Sequence, residues 1–72
     1  VEIRLFKYFL AVTEELHFTR AAEKLGISQP TLSQQIRLLE SRLDTTLFHR
    51  KGTRIELSES GKALLKHVNR IF

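Results

Sequence analysis

Between Lys24 and Leu39 the chain carries no acidic residue, and that window holds Ser28, Gln29, Pro30, Thr31, Ser33, Gln34 and Arg37. The chemistry open to these side chains is directional hydrogen bonding. A glutamine carboxamide donates and accepts at once and can bond an adenine edge through two atoms, while serine and threonine hydroxyls suit phosphates or bases. A carboxylate among them would be repelled by a phosphate field. A second group is basic: Arg50, Lys51 and Arg54 surround Gly52. A third pair, Thr19 and Arg20, opens a helical segment, where free backbone N–H groups favour an anion. Each group also has an ordinary reading, as a solvated helix face, a solvated hairpin tip and a plain helix start.

Other chemistries find no residues to carry them. The chain has no cysteine, which removes disulfides and cysteine-based zinc sites. His17, His49 and His67 lie at no helical ligand spacing, and no carboxylate cluster joins them, so no metal or cofactor is expected. There is no nucleophile–base pair, glycine-rich phosphate loop or paired-carboxylate motif. The expectation is a binding module and not an enzyme.

Helices must position these groups. Leu5, Phe6, Phe9, Leu10, Val12 and Leu16 recur at helical spacing and predict an amphipathic helix from Ile3 to Leu16. A short helix from Phe18 to Leu25 follows, its Ala21–Ala22 pair permitting close approach, and Gly26 stops it. Ser28 is a natural N-cap, and Pro30 in the next turn costs nothing because its missing N–H has no partner there. Leu32, Ile36, Leu39 and Leu43 then draw one apolar stripe. At about 100° per residue, Pro30, Gln34, Arg37 and Ser41 lie opposite it, with Thr31 and Ser33 on its flanks. Asp44 ends this third helix. Extended pieces at Leu47–Arg50 and Ile55–Leu57 enclose the Lys51-Gly52-Thr53 loop. Ser58 caps a last helix whose Leu64, Leu65, Val68, Ile71 and Phe72 form a broad apolar face.

Size and charge narrow the class. Seventy-two residues make one small domain. Twelve basic side chains oppose eight acids, a net +4. Residues 1–44 balance six against six, so the whole excess lies in residues 45–72, where only Glu56 and Glu59 are acidic. A basic domain with an acid-free local surface suits a polyanion. The longest apolar run, Tyr8 to Val12, is five residues, far below the ~20 of a membrane span. With no signal peptide in view, the expectation is a cytoplasmic protein without membrane contact.

These elements predict a mainly α fold: a winged helix-turn-helix with a two-stranded wing and a C-terminal helix. A major groove admits one helix, whose exposed N-terminal side chains reach base edges, and the wing can touch backbone or minor groove. Residues 1–57 form the DNA-binding unit on this reading, and residues 58–72 form the last helix. Double-stranded DNA is the expected partner. Thr19, Arg20, Ser28, Gln29, Pro30, Thr31, Ser33, Gln34, Arg37, Arg50, Lys51 and Arg54 are the expected contacts. The broad apolar face of the last helix exceeds what so small a domain can bury, which points to a homodimer. An assembly module would instead want apolar anchors on the third helix, and a nuclease would need carboxylates near the basic face. Only Glu56 lies close to the wing.

The run Phe18-Thr19-Arg20-Ala21-Ala22, Leu25, Ser28-Gln29-Pro30, Leu32, Ser33, Ile36, Leu39, Glu40 and Leu43 resembles the DNA-binding domain of LysR-type transcriptional regulators. The likeness continues through Leu47-Phe48, Arg50, Arg54, Leu57 and Gly61, and so covers nearly the whole chain. Departures are mild: Asp44 stands where the family usually has glycine, Ser58 where threonine, Ser60 where alanine, and Thr31 where proline or alanine is common. The resemblance implies a bacterial regulator several times longer, in which residues 58–72 begin a C-terminal linker helix that pairs two copies. A small-molecule effector would act only through a domain absent from this chain.

Overall fold

The computed structural model describes residues 2–51 and 54–71. Helices α1 (Ile3–Glu15), α2 (Phe18–Leu25) and α3 (Gln29–Leu43) precede strands β1 (Phe48–Lys51) and β2 (Arg54–Leu57), and α4 (Glu59–Ile71) closes the order. The fold is mainly α, a winged helix-turn-helix.

Three reversals pack the first three helices onto one another. α1 stops one residue earlier than its apolar pattern predicts. Leu16 turns left-handed (φ 50°) with its N–H on the Val12 carbonyl, so that His17 can run extended into α2. Gly26 takes φ 72°, where an L side chain is strained, and Ile27 N–H closes onto the Ala22 carbonyl. Asp44 ends α3 at φ 52°, a conformation that aspartate tolerates better than most residues. Ser28 caps α3 as expected, its Oγ accepting from Thr31 N–H at 3.2 Å.

The core forms where these faces meet: Leu5, Phe9 and Val12 of α1, Ala21 and Ala22 of α2, and Leu32, Ile36 and Leu39 of α3. Leu47, Phe48, Ile55 and Val68 complete it from the wing and α4. The strands pair antiparallel, Phe48 with Leu57 and Lys51 with Arg54. Both lie slightly off the predicted spans. Leu47 stays outside β1 because its N–H goes to the Glu40 carboxylate of α3 (2.7 Å), while its carbonyl takes Ser58 N–H.

The expectation for α4 needs correction at Val68. This side chain is 1% exposed within the domain's own core, so it is not free to face a partner. Leu64 and Leu65 are half-buried against the same core, and among the described residues of the predicted apolar face Ile71 alone is largely open, at 71%. The helical spacing was right, but α1 and β2 cover more of that face than the small size of the domain suggested. Phe72 lies outside the described residues.

Gly61 explains how α4 comes so close. A Cβ there would lie 2.5 Å from the Leu47 carbonyl oxygen and 2.7 Å from Leu57 Cδ1. Ser58 caps the helix by accepting from Gly61 N–H (2.9 Å) and donates its own hydroxyl to the Thr46 carbonyl (2.6 Å).

Candidate nucleic-acid interface

α3 presents Pro30, Thr31, Gln34 and Arg37 on its exposed side, opposite the buried Leu32, Ile36 and Leu39. The four form one polar, cationic surface on a helix anchored by its other face. Ser28 and Thr31 are mutually tied, since Ser28 Oγ also donates to Thr31 Oγ1 at 2.8 Å. Gln29 is half-buried, and its Nε2 donates to Ser33 Oγ at 3.0 Å. Ser33 itself is only 5% exposed. Its expected DNA contact is therefore corrected: position 33 turns toward the core flank, and its hydroxyl holds the Gln29 carboxamide.

Thr19 and Arg20 are exposed in the first turn of α2. His17 caps that turn, Nδ1 accepting from Arg20 N–H at 3.2 Å. In the sequence His17 stands out only as a histidine without ligand spacing. Only its position just before a helical run hints at capping, because histidine is not a usual N-cap.

The wing places Lys51 and Arg54 opposite each other at its far end, both exposed. Lys51 is within 3.4 Å of Glu56, an exposed pair of small energetic weight. Arg50 lies on the other side of the strand. Its guanidinium sits 4.3 Å above the centre of the Phe18 ring. Phe18 in turn meets Phe48 edge-on at 6.2 Å, and Phe48 meets Phe9 at 5.4 Å. The structure thus joins two groups that looked separate in the sequence, the start of α2 and the wing.

Glu40 is the larger omission. Its Oε2 accepts from both Leu47 N–H (2.7 Å) and Phe48 N–H (3.3 Å), which fastens the base of the wing to α3. A lone glutamate eight residues before a strand carries no signal of that role. Lys24 ties α2 to α1 through Glu14. That hydrogen bond, with the charge of Glu14 and more weakly of Glu15, holds the ammonium pKa above its ordinary value of 10.5.

Among the described residues no cluster of histidine and carboxylate side chains could hold a metal ion, and no helix is long and apolar enough to cross a membrane. The arrangement is a surface and not a cavity. A helix with a polar outward face, fixed against a second helix and flanked by a basic hairpin, defines the winged helix-turn-helix class.

Residues 3–62 match the family described as "Bacterial regulatory helix-turn-helix protein, lysR family". This chain belongs to that family. It is 51% identical over 71 residues to the HTH-type transcriptional regulator BudR of Klebsiella aerogenes, covering 99% of this chain and 50% of that protein. Against IlvR of Caulobacter vibrioides it is 52% identical over 68 residues, covering 94% of this chain and 23% of that one. The chain therefore spans half or less of the length of these relatives. Among solved structures it resembles the CbnR_DBD–DNA complex (TM-score 0.93, 39% identity, 99% of this chain and 82% of that one). It also resembles the BenM_DBD complex with catB site 1 DNA (TM-score 0.93, 38% identity, 99% and 76%).

Proposed function

We propose that this chain is the DNA-reading domain of a bacterial transcriptional regulator and that it recognises double-stranded DNA in a sequence-specific way. One observation carries the reading. The outward face of α3 offers Pro30, Thr31, Gln34 and Arg37 without an acid, on a helix whose opposite face is locked into the core. Such a helix enters a major groove as a rigid probe. Gln34 reads a base edge, and Gln29, steadied by Ser33, is aimed beside it. Ser28, Thr31 and Arg37 follow the flanking backbone together with Thr19 and Arg20. Lys51 and Arg54 at the end of the wing meet phosphates, which position the domain without reading sequence.

Residues 1–57 carry this reading, and residues 58–72 begin a helix through which two copies pair by Leu64, Leu65, Ile71 and Phe72. Two-fold pairing presents two reading helices to one duplex, so the site is roughly palindromic. The domain binds and does not catalyse, and it works in the cytoplasm, where a bacterial chromosome lies. An effector would act through a further domain, in keeping with relatives that extend well beyond the matched region.

A salt titration on duplex DNA tests the proposal. With ~6–10 phosphate contacts per dimer, affinity falls roughly 10³–10⁵-fold between about 50 and 200 mM salt. Binding indifferent to salt rules the proposal out.

A further inference from the structure

We propose that Arg50 is a positioning residue, one that sets the angle of the wing against the reading helix by stacking on Phe18 and does not itself hold a phosphate. This inference rests on the DNA-reading proposal and assigns one of its basic residues a different task.

The base of the wing is firmly held. Glu40 takes the N–H groups of Leu47 and Phe48, and Ser58 takes up the carbonyls of Leu47 and Thr46 through its N–H and hydroxyl. Toward the tip these ties stop. His49, Arg50, Lys51, Arg54 and Glu56 are all exposed. Among the described residues, only the face of the pleat that carries Phe48 and Arg50 meets the body of the domain, with buried Ile55 as the cross-strand partner of Arg50. Among the described residues Arg50 is thus the anchor nearest the wing tip. Its guanidinium lies 4.3 Å over Phe18, and among the described residues no carboxylate pairs with it.

Phe18 is suited to receive it. The ring is 9% exposed, opens α2, and is braced edge-on by Phe48. A planar guanidinium stacks on such a face through both charge and shape, which a lysine ammonium matches poorly. The contact therefore spans the wing and the helix-turn-helix. Through it, the tip residues Lys51 and Arg54 and the groove face of α3 reach DNA as one rigid body, and the order they need is in place before binding.

The roles of phosphate contact and anchor separate in a double-mutant cycle. Arg50→Lys keeps the charge and Phe18→Leu keeps the arginine, yet each removes the stack. Each variant is expected to lose roughly 2- to 5-fold in affinity for a selected site, the equivalent of the 0.5–1 kcal/mol of an exposed cation–π contact. The double variant should be no weaker than the worse single one, and the salt slope of all three should match wild type. If Arg50→Lys binds as wild type does, or if the two losses multiply, Arg50 is an independent charge and the proposal fails.

Free-protein NMR provides the second arm and guards against loss of fold in Phe18→Leu. Ring current should shift the Arg50 Hδ protons upfield in wild type, and wing amides should exchange faster in Arg50→Lys than in wild type. Arg50 Hδ at unperturbed shifts, or unchanged wing exchange, overturns the anchor whatever DNA does. A shifted Arg50 with no preferred duplex leaves the anchor standing and sinks the DNA reading instead.

Discussion

Replacing Glu40 with alanine removes the one acceptor for two backbone donors. Leu47 and Phe48 are 0% and 5% exposed, so their N–H groups gain little from water once the carboxylate is gone. An orphaned buried donor costs about 1–3 kcal/mol. The 2.7 Å bond to Leu47 belongs at the upper end of that range and the 3.3 Å bond to Phe48 at the lower end. Glu40 is half-buried, and some hydration of the gap reduces the sum, giving roughly 2–4 kcal/mol. For a domain of this size each kcal/mol lowers the melting temperature by about 4–8 °C, so Glu40→Ala should melt roughly 10–30 °C below wild type. Glu40→Gln keeps an acceptor oxygen and loses only the charge assistance, for about 1 kcal/mol and a far smaller drop. Thermal melts followed by circular dichroism read both. Glu40→Ala melting within a few degrees of wild type, or level with Glu40→Gln, would refute the claim that this carboxylate holds the wing base.

Two further predictions concern stability. Gly61→Ala drives a methyl against the Leu47 carbonyl and Leu57, and it should cost about 1–3 kcal/mol by overpacking, read as a lowered melting temperature; an unchanged melt contradicts the close approach of α4. The raised pKa of Lys24 stabilises the fold fully below the ordinary value of 10.5 and loses that contribution as pH rises through the higher folded value. Melts of wild type and Lys24→Met taken from neutral to strongly alkaline pH should therefore converge at the top of the range; curves that stay parallel throughout refute the Lys24–Glu14 tie.

The helices were legible because their signals are local. Ser28 as a cap, Gly26 and Asp44 as left-handed stops, and the Leu32–Ile36–Leu39 stripe each act within a few residues of chain. What stayed hidden depends on contacts across the fold. Nothing near Val68 tells whether its apolar face meets this domain or another copy, and the answer comes from how closely Gly61 lets α4 settle. Ser33 lies on the flank of its helix, where a small rotation decides between solvent and core. Arg50 looked like any wing cation, because the ring it stacks on is 32 residues away in sequence.

The central claim is that the outward face of α3 reads sequence while the wing supplies affinity. Selection of bound duplexes from a random pool, repeated with Gln34→Ala and Arg54→Ala, tests it most directly. Wild type should enrich a roughly palindromic site. Gln34→Ala should lose about 1–3 kcal/mol of discrimination at one base pair of each half-site while its affinity for random duplex stays near wild type. Arg54→Ala should keep the same preferred sequence and weaken binding uniformly. No enriched sequence for wild type, or the same enriched sequence and discrimination with and without Gln34, would contradict the account.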